Sequence, residues 1–160
     1  TTLFRSDMVM QGYYKDEEST KAVFTNDGWF RTGDIGCIDK DGYLYLCGRL
    51  KNLIILPNGK NIYPEEIEEA MCERMPYIKE SVVFADKDNT GIYAIIYLDR
   101  DFCKANGLDT PEKQREFIRP DIRKFNSEMP GFKRLTDFKM TDREFEKSST
   151  KKIQRYKIQH

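Results

Sequence analysis

Histidine is almost missing: the single one, His160, is the last residue of a 160-residue chain. A Ser-His-Asp or Cys-His relay needs an imidazole beside its nucleophile, so neither can be built inside this chain. The four cysteines, Cys37, Cys47, Cys72 and Cys103, are separated by 9, 24 and 30 residues. No CxxC pair occurs, which argues against zinc ligation and against a compact disulfide frame. No metal site is read, and the thiols are expected to be reduced and mostly buried. Long apolar runs are also lacking. The longest is about six residues near Tyr93 to Leu98, against roughly 20 needed to cross a bilayer. With no membrane span and no signal-peptide pattern, the expected location is cytoplasmic. Nor is there an excess of either charge: Lys+Arg and Asp+Glu both total 27. Global electrostatics therefore do not favour nucleic acid, and any anion site must be local.

What is present suits one domain, or one domain with the edge of another. Hydrophobic residues make up 39% and aromatics 12%, enough for a core, beside 34% charged residues that need a wide solvated surface. Phe4 to Val9 reads as extended, and the second half of DEESTKAVF as a short helix. Asn26-Asp27-Gly28 turns the chain. Trp29 to Arg31, Ile35 to Ile38 and Tyr43 to Cys47 read as strands, the last two joined by the hairpin signal Asp39-Lys40-Asp41-Gly42. Leu53 to Leu56 and Lys60 to Ile62 flank the turn Pro57-Asn58-Gly59. A helix then starts at Pro64, with carboxylates at its positive end and Ile67, Ala70 and Met71 as its buried stripe. Glu80 to Ala85 and Ile92 to Leu98 are the core strands. Pro111 to Met129 is helical through Phe117, Ile118, Ile122 and Phe125, with Pro120 placed to divide or kink it. Phe138 to Met140 adds a strand, and Ser148 to Lys152 is polar enough for a mobile loop. The fold class is α/β (α+β): a small β-hairpin piece, then a compact C-terminal lobe with a central sheet flanked by helices.

Two side chains at glycine turns stand out. Asp34 follows Gly33, a setting that leaves its carboxylate free to accept two hydrogen bonds; vicinal ribose hydroxyls offer two such donors. The other reading is a turn aspartate bonded to nearby amides. Arg49 follows Gly48, and its planar fork suits ribose or phosphate oxygens, or a surface salt bridge. The acidic clusters Asp39/Asp41 and Glu65/Glu66/Glu68/Glu69 are explained by turn and helix-start roles, which leaves no paired carboxylates for glycosidase chemistry.

GWFRTGDIG from Gly28, GRLKNLIILPNGKNIYPEEIEEAM from Gly48 and SSTKKIQR from Ser148 occur in that order. Together they resemble signature segments of the adenylate-forming enzymes, which include acyl-CoA synthetases, nonribosomal peptide adenylation domains and beetle luciferases. The resemblance implies the C-terminal part of a larger enzyme. No Ser/Thr/Gly-rich phosphate loop ending in Lys occurs here, so ATP phosphates, Mg2+ and acyl group would be held mainly by an N-terminal adenylation domain in the same chain. Residues 1–50 would be the last β portion of that domain and residues 51–160 the mobile lid domain. Asp34 and Arg49 would bind the nucleotide. Lys51, two residues after the GR arginine, would be the hinge. Gly59, lacking a Cβ, would let backbone line the pantetheine tunnel for CoA.

Lys152 would be the catalytic lysine, stabilising charge on the phosphoryl oxygens as a carboxylate attacks ATP. The family motif usually reads TGK; here Lys151 replaces its glycine, while Ile153 and Arg155 keep the register. Arg49 and Gly59 stand ten residues apart where several subfamilies have nine, and ILPNGKNIYPEEIE looks most like bacterial long-chain fatty acid–CoA ligases. The implied function is ATP-dependent activation of a fatty acid as acyl-AMP and transfer to CoA, with peripheral membrane contact open to the parent enzyme. The alternatives are a domain feeding a carrier protein and a module that only binds nucleotide or a partner.

Overall fold

Turn chemistry, rather than burial, shapes the first part of the chain. In the computed structural model, which describes residues 2–158, the chain divides into two units between Leu53 and Ile54. His160 lies outside the described residues. In the first unit β1 (Leu3–Phe4) pairs antiparallel with β2 (Phe30–Arg31), and α1 (Glu17–Val23) lies between them in sequence. Asp16 caps α1 by accepting the Ser19 amide at 2.9 Å, satisfying one of the helix's free donors. The expected extended run from Phe4 to Val9 stops at Phe4: Ser6 takes the Met8 amide on its hydroxyl and the Val9 amide on its carbonyl, closing a turn.

A hairpin follows, with β3 (Asp34–Ile38) and β4 (Leu44–Arg49) antiparallel and a bulge between Ile35 and Gly36. Asp39 accepts the amides of Asp41 and Tyr43, both at 2.9 Å, and Gly42 supplies a φ of 89°. Those contacts make the Asp-Lys-Asp-Gly turn. No described residue of this unit is fully buried. Ile38, Tyr43, Leu44, Tyr45 and Leu46 all stand exposed on the hairpin.

The second unit carries the core. β5 (Ile54–Ile55) and β6 (Asn61–Ile62) form a short hairpin. It leads into α2 (Pro64–Arg74), where proline at the helix start loses no hydrogen bond. β7 (Ile78–Ala85) and β8 (Ile92–Leu98) pair antiparallel. The chain then crosses through α3 (Arg100–Ala105) and α4 (Pro111–Glu128) before β9 (Leu135–Thr141) joins β8 in parallel. The sheet order is β7-β8-β9. The sequence pattern does not announce α3: six residues with a short apolar content carry little periodic signal, and the helix depends on Asp99, which accepts the amides of Asp101 and Phe102. β9 is also longer than the expected Phe138 to Met140.

Strand alternation gives the sheet two buried faces. Ile92, Ala94, Ile96 and Leu98 point to one, against Ile67 and Met71 of α2 and Ile118, Ile122 and Phe125 of α4. Ile95 and Tyr97 point to the other with Val82, beside Phe145, and Ile153 and Ile158 pack against the same cluster. Helices thus flank one face, while the segment after β9 covers the second. Of the cysteines only Cys103 is buried; Cys37 is exposed and Cys47 and Cys72 are half-buried, so the expectation of mostly buried thiols is corrected. Cys37 lies on the exposed hairpin, which has no core to enter.

Pro120 sits inside α4, which continues through it as one helix. Its side chain is exposed, so no packing offsets the lost backbone donor and the ring's crowding of the preceding turn. Pro120→Ala is expected to raise stability by about 1–3 kcal/mol, read as a higher urea midpoint at unchanged slope.

Candidate functional site

In the first unit the hairpin register places Asp34 directly opposite Arg49. Gly33, at φ 73°, makes the turn that brings Thr32 beneath them. The Arg49 Nε lies 3.0 Å from Asp34 Oδ1, and its Nη1 donates to the Thr32 carbonyl at 2.8 Å. The Thr32 hydroxyl in turn accepts the Asp34 amide at 3.0 Å. The two side chains remain 40% (Arg49) and 27% (Asp34) exposed. The structure thus brings the two predicted nucleotide residues together as a half-open pair. A carboxylate and a guanidinium held side by side can accept from and donate to neighbouring hydroxyls. The salt bridge costs little to share, because partly exposed pairs are worth only about 0–1 kcal/mol.

Lys51 is the exposed middle residue of a short 3-10 turn, Leu50–Asn52, just before the division of the chain. In the second unit Gly59 has φ 77° in the β5–β6 turn, where its amide donates to the Leu56 carbonyl at 2.8 Å. A Cβ built at Gly59 would meet nothing within 4 Å. Within this chain the glycine is therefore required by backbone conformation, and the space beside it is open.

Lys152 is exposed at the end of a closed turn. The Ser148 amide donates to the Lys152 carbonyl at 2.8 Å, and the Lys151 amide donates to the Ser148 carbonyl at 2.9 Å. The Ser148 hydroxyl accepts the Lys152 amide at 3.3 Å. Lys147 and Ile153 pair as an isolated antiparallel bridge beneath it. Where a mobile loop was expected from polarity alone, serine supplies both acceptors that close the turn. Lys151 takes φ 61°, a conformation that favours glycine.

Both feet of this loop are tied to buried or nearly buried carboxylates. At the first, Glu80 of β7, only 7% exposed, accepts the Phe145 amide at 3.0 Å and forms an ion pair with Lys147. That bond raises the Lys147 ammonium above its ordinary value. At the second, Arg155 donates through Nη2 to both oxygens of Glu68, each at 2.5 Å, and through Nη1 to the Val83 carbonyl at 3.1 Å. Glu68 also accepts the Val83 amide at 2.6 Å. Burial pushes the Glu68 carboxyl up, while Arg155 and the Val83 amide oppose that shift. From the sequence Glu68 counts among the helix-start carboxylates, and neither Glu80 nor Lys147 stands out. A signal existed: Glu68 falls on the i, i+3, i+4, i+7 stripe of Pro64, Ile67 and Met71, so its carboxylate had to face the sheet.

The described residues contain no grouping of three or more His, Cys, Asp or Glu able to hold a metal ion.

The chain has counterparts among known proteins. Residues 51–160 match the family model described as the AMP-binding enzyme C-terminal domain, and the chain belongs to that family. It is 46% identical over 86 residues to the sulfoacetate–CoA ligase of Cupriavidus necator, an alignment covering 54% of this chain and 16% of that protein. It is 42% identical over 84 residues to the long-chain-fatty-acid–CoA ligase FadD15 of Mycobacterium tuberculosis, covering 52% and 14%. Among solved structures it resembles an anthranilate–CoA ligase, AuaEII, in complex with anthranoyl-AMP, with TM-score 0.77 and 26% identity over 97% of this chain and 27% of that one. The chain thus spans roughly a quarter or less of these relatives.

Arg155→Ala removes the partner of a largely buried carboxylate and is expected to cost about 3–5 kcal/mol in chemical unfolding. Glu68→Gln, which keeps an acceptor for the Val83 amide, should cost distinctly less.

Proposed function

We propose that this chain is the C-terminal part of an ATP-dependent acyl-CoA synthetase. In the first half-reaction a carboxylate oxygen attacks the α-phosphorus of ATP, forming acyl-AMP and expelling pyrophosphate. In the second the CoA sulfur attacks the acyl carbonyl, forming the thioester and expelling AMP. Lys152 serves the first half by placing an ammonium against the phosphoryl oxygens, where charge develops. Asp34 and Arg49 hold the ribose end of the nucleotide in both. Rotation about Lys51 exchanges the lysine loop for the Gly59 turn, whose open side admits the pantetheine arm.

The observation that carries this reading is the lysine loop itself: an exposed ammonium on a hydrogen-bonded turn anchored at both feet. Family membership supports adenylation chemistry, and likeness to a complex with an acyl-AMP supports the intermediate. The bare apolar hairpin of β3 and β4 supports a partner for the first unit, which we take to be an upstream adenylation domain. A long-chain fatty acid is the proposed acyl group, supported by the form of the ILPNGKNIYPEEIE segment and by likeness to FadD15. The sulfoacetate relative favours a different acid. No helix of the described residues is long and apolar enough to cross a membrane.

Lys152→Ala in the complete enzyme is expected to slow adenylation by about 10²- to 10³-fold while sparing thioester formation from preformed acyl-AMP. Pyrophosphate exchange and single-turnover thioesterification separate the two, and equal damage to both would sink the assignment.

The hinge has its own signature. Lys51→Pro fixes φ near −65° and is expected to disable one half-reaction, whereas Lys51→Ala leaves both nearly intact. Measured on the same two assays, a harmless proline would remove Lys51 from the mechanism.

A further inference from the structure

Five cations stand between residues 147 and 157: Lys147, Lys151, Lys152, Arg155 and Lys157. They are sorted. Lys147 is paired with Glu80, Arg155 with Glu68 and Lys157 with Glu146. The two at the tip, Lys151 and Lys152, are exposed and are in no ion pair among the described residues, and the tip sequence from Ser148 to Gln154 contains no acid. Carboxylates have been spent on the feet of the loop and withheld from its end.

Lys151 holds its place against a conformational cost. Its φ of 61° lies in the left-handed region, where a side chain crowds the backbone and glycine is preferred. The turn keeps that conformation through the bond from the Lys151 amide to the Ser148 carbonyl, while the Ser148 hydroxyl takes the next amide. Two ammonium-bearing residues are thus held on adjacent Cα atoms, about 3.8 Å apart. Their ammonium groups sit at the ends of flexible, exposed side chains with no ion pair among the described residues, and an anion with several oxygens can accept from both. A polyphosphate chain supplies such oxygens along its length, so both residues can be engaged at once.

We propose that Lys151 is a second phosphate-contacting residue, binding the polyphosphate of ATP and the pyrophosphate product alongside Lys152. The proposal rests on the adenylation reading above, and it adds a residue that no role there uses. Lys151→Asn tolerates the left-handed backbone but removes the charge, Lys151→Gly removes both charge and strain, and Lys151→Arg keeps the charge. ATP–pyrophosphate exchange is measured in the complete enzyme with each variant. The Asn and Gly variants should raise the KM for pyrophosphate by about tenfold, and the Arg variant should return it to within about twofold of the parent, set against a surface ion pair worth little by itself. Unchanged KM values in the Asn and Gly variants, or an Arg variant as impaired as Asn, would overturn the assignment. Lys152→Ala run beside them separates the two readings. If it abolishes exchange while Lys151→Asn changes nothing, only the second contact fails; if it leaves exchange intact, the adenylation reading fails with it.

Discussion

The second unit depends on one buried exchange among Glu68, Arg155 and Val83. Glu68 comes from α2, Val83 from the sheet's first strand and Arg155 from the segment after β9, so three distant stretches meet at one carboxylate. The acid takes a backbone amide and a guanidinium, and the guanidinium also donates through Nη1 to the Val83 carbonyl. Such a network adds little net stability over an apolar replacement, because desolvating the ions cancels much of their attraction. What it adds is position. A hydrophobic contact at this point would tolerate slippage of the C-terminal segment, whereas a guanidinium that bonds both the Glu68 carboxylate and the Val83 carbonyl favours one register.

That register matters because the same segment carries the lysine loop. With Glu80 holding the other foot through Phe145 and Lys147, the turn from Ser148 to Lys152 is a short span between two fixed points. A loop so held loses little further freedom when it meets a ligand, which is how a pre-organised cation gains strength over a free one. The apolar contribution is complementary: Phe145 and Ile153 pack on the second face of the sheet beside each foot. Charge sets where the loop is, and burial keeps it against the sheet.

The legibility of all this in the sequence follows the range of the interactions. Elements made by nearby residues were plain: the Asp39 to Gly42 turn, the proline-started α2, and the apolar run of β8. The α4 stripe of Ile118, Ile122 and Phe125 was equally visible, and the fold class followed. Asp34, Arg49 and Lys152 were singled out as candidates through motif spacing, and the structure adds that Asp34 and Arg49 are within hydrogen-bonding distance of each other. What stayed hidden were elements whose support is a single cap or a distant partner. α3 rests on Asp99, and the early turn rests on Ser6. Glu80 lies in a strand of apolar residues and gives no hint that its partners are 65 and 67 positions away. At Ser148 to Lys152 polarity indicated a loop, and the bonds through which Ser148 closes its turn were not legible.

The connector between the units shows the opposite economy. Leu50–Asn52 is one turn of 3-10 helix, and the bond that closes it, from the Leu53 amide to the Leu50 carbonyl, is 3.3 Å long. A net hydrogen bond is worth only about 0.5–1.5 kcal/mol, and this one lies in a turn without a buried side chain. Lys51 at its centre is exposed, so rotating its backbone removes nothing from a core. The buried ion pairs thus lie beyond Ile54, while Lys51 sits in a short exposed turn, an arrangement that fits the proposed rotation of a lid about this residue.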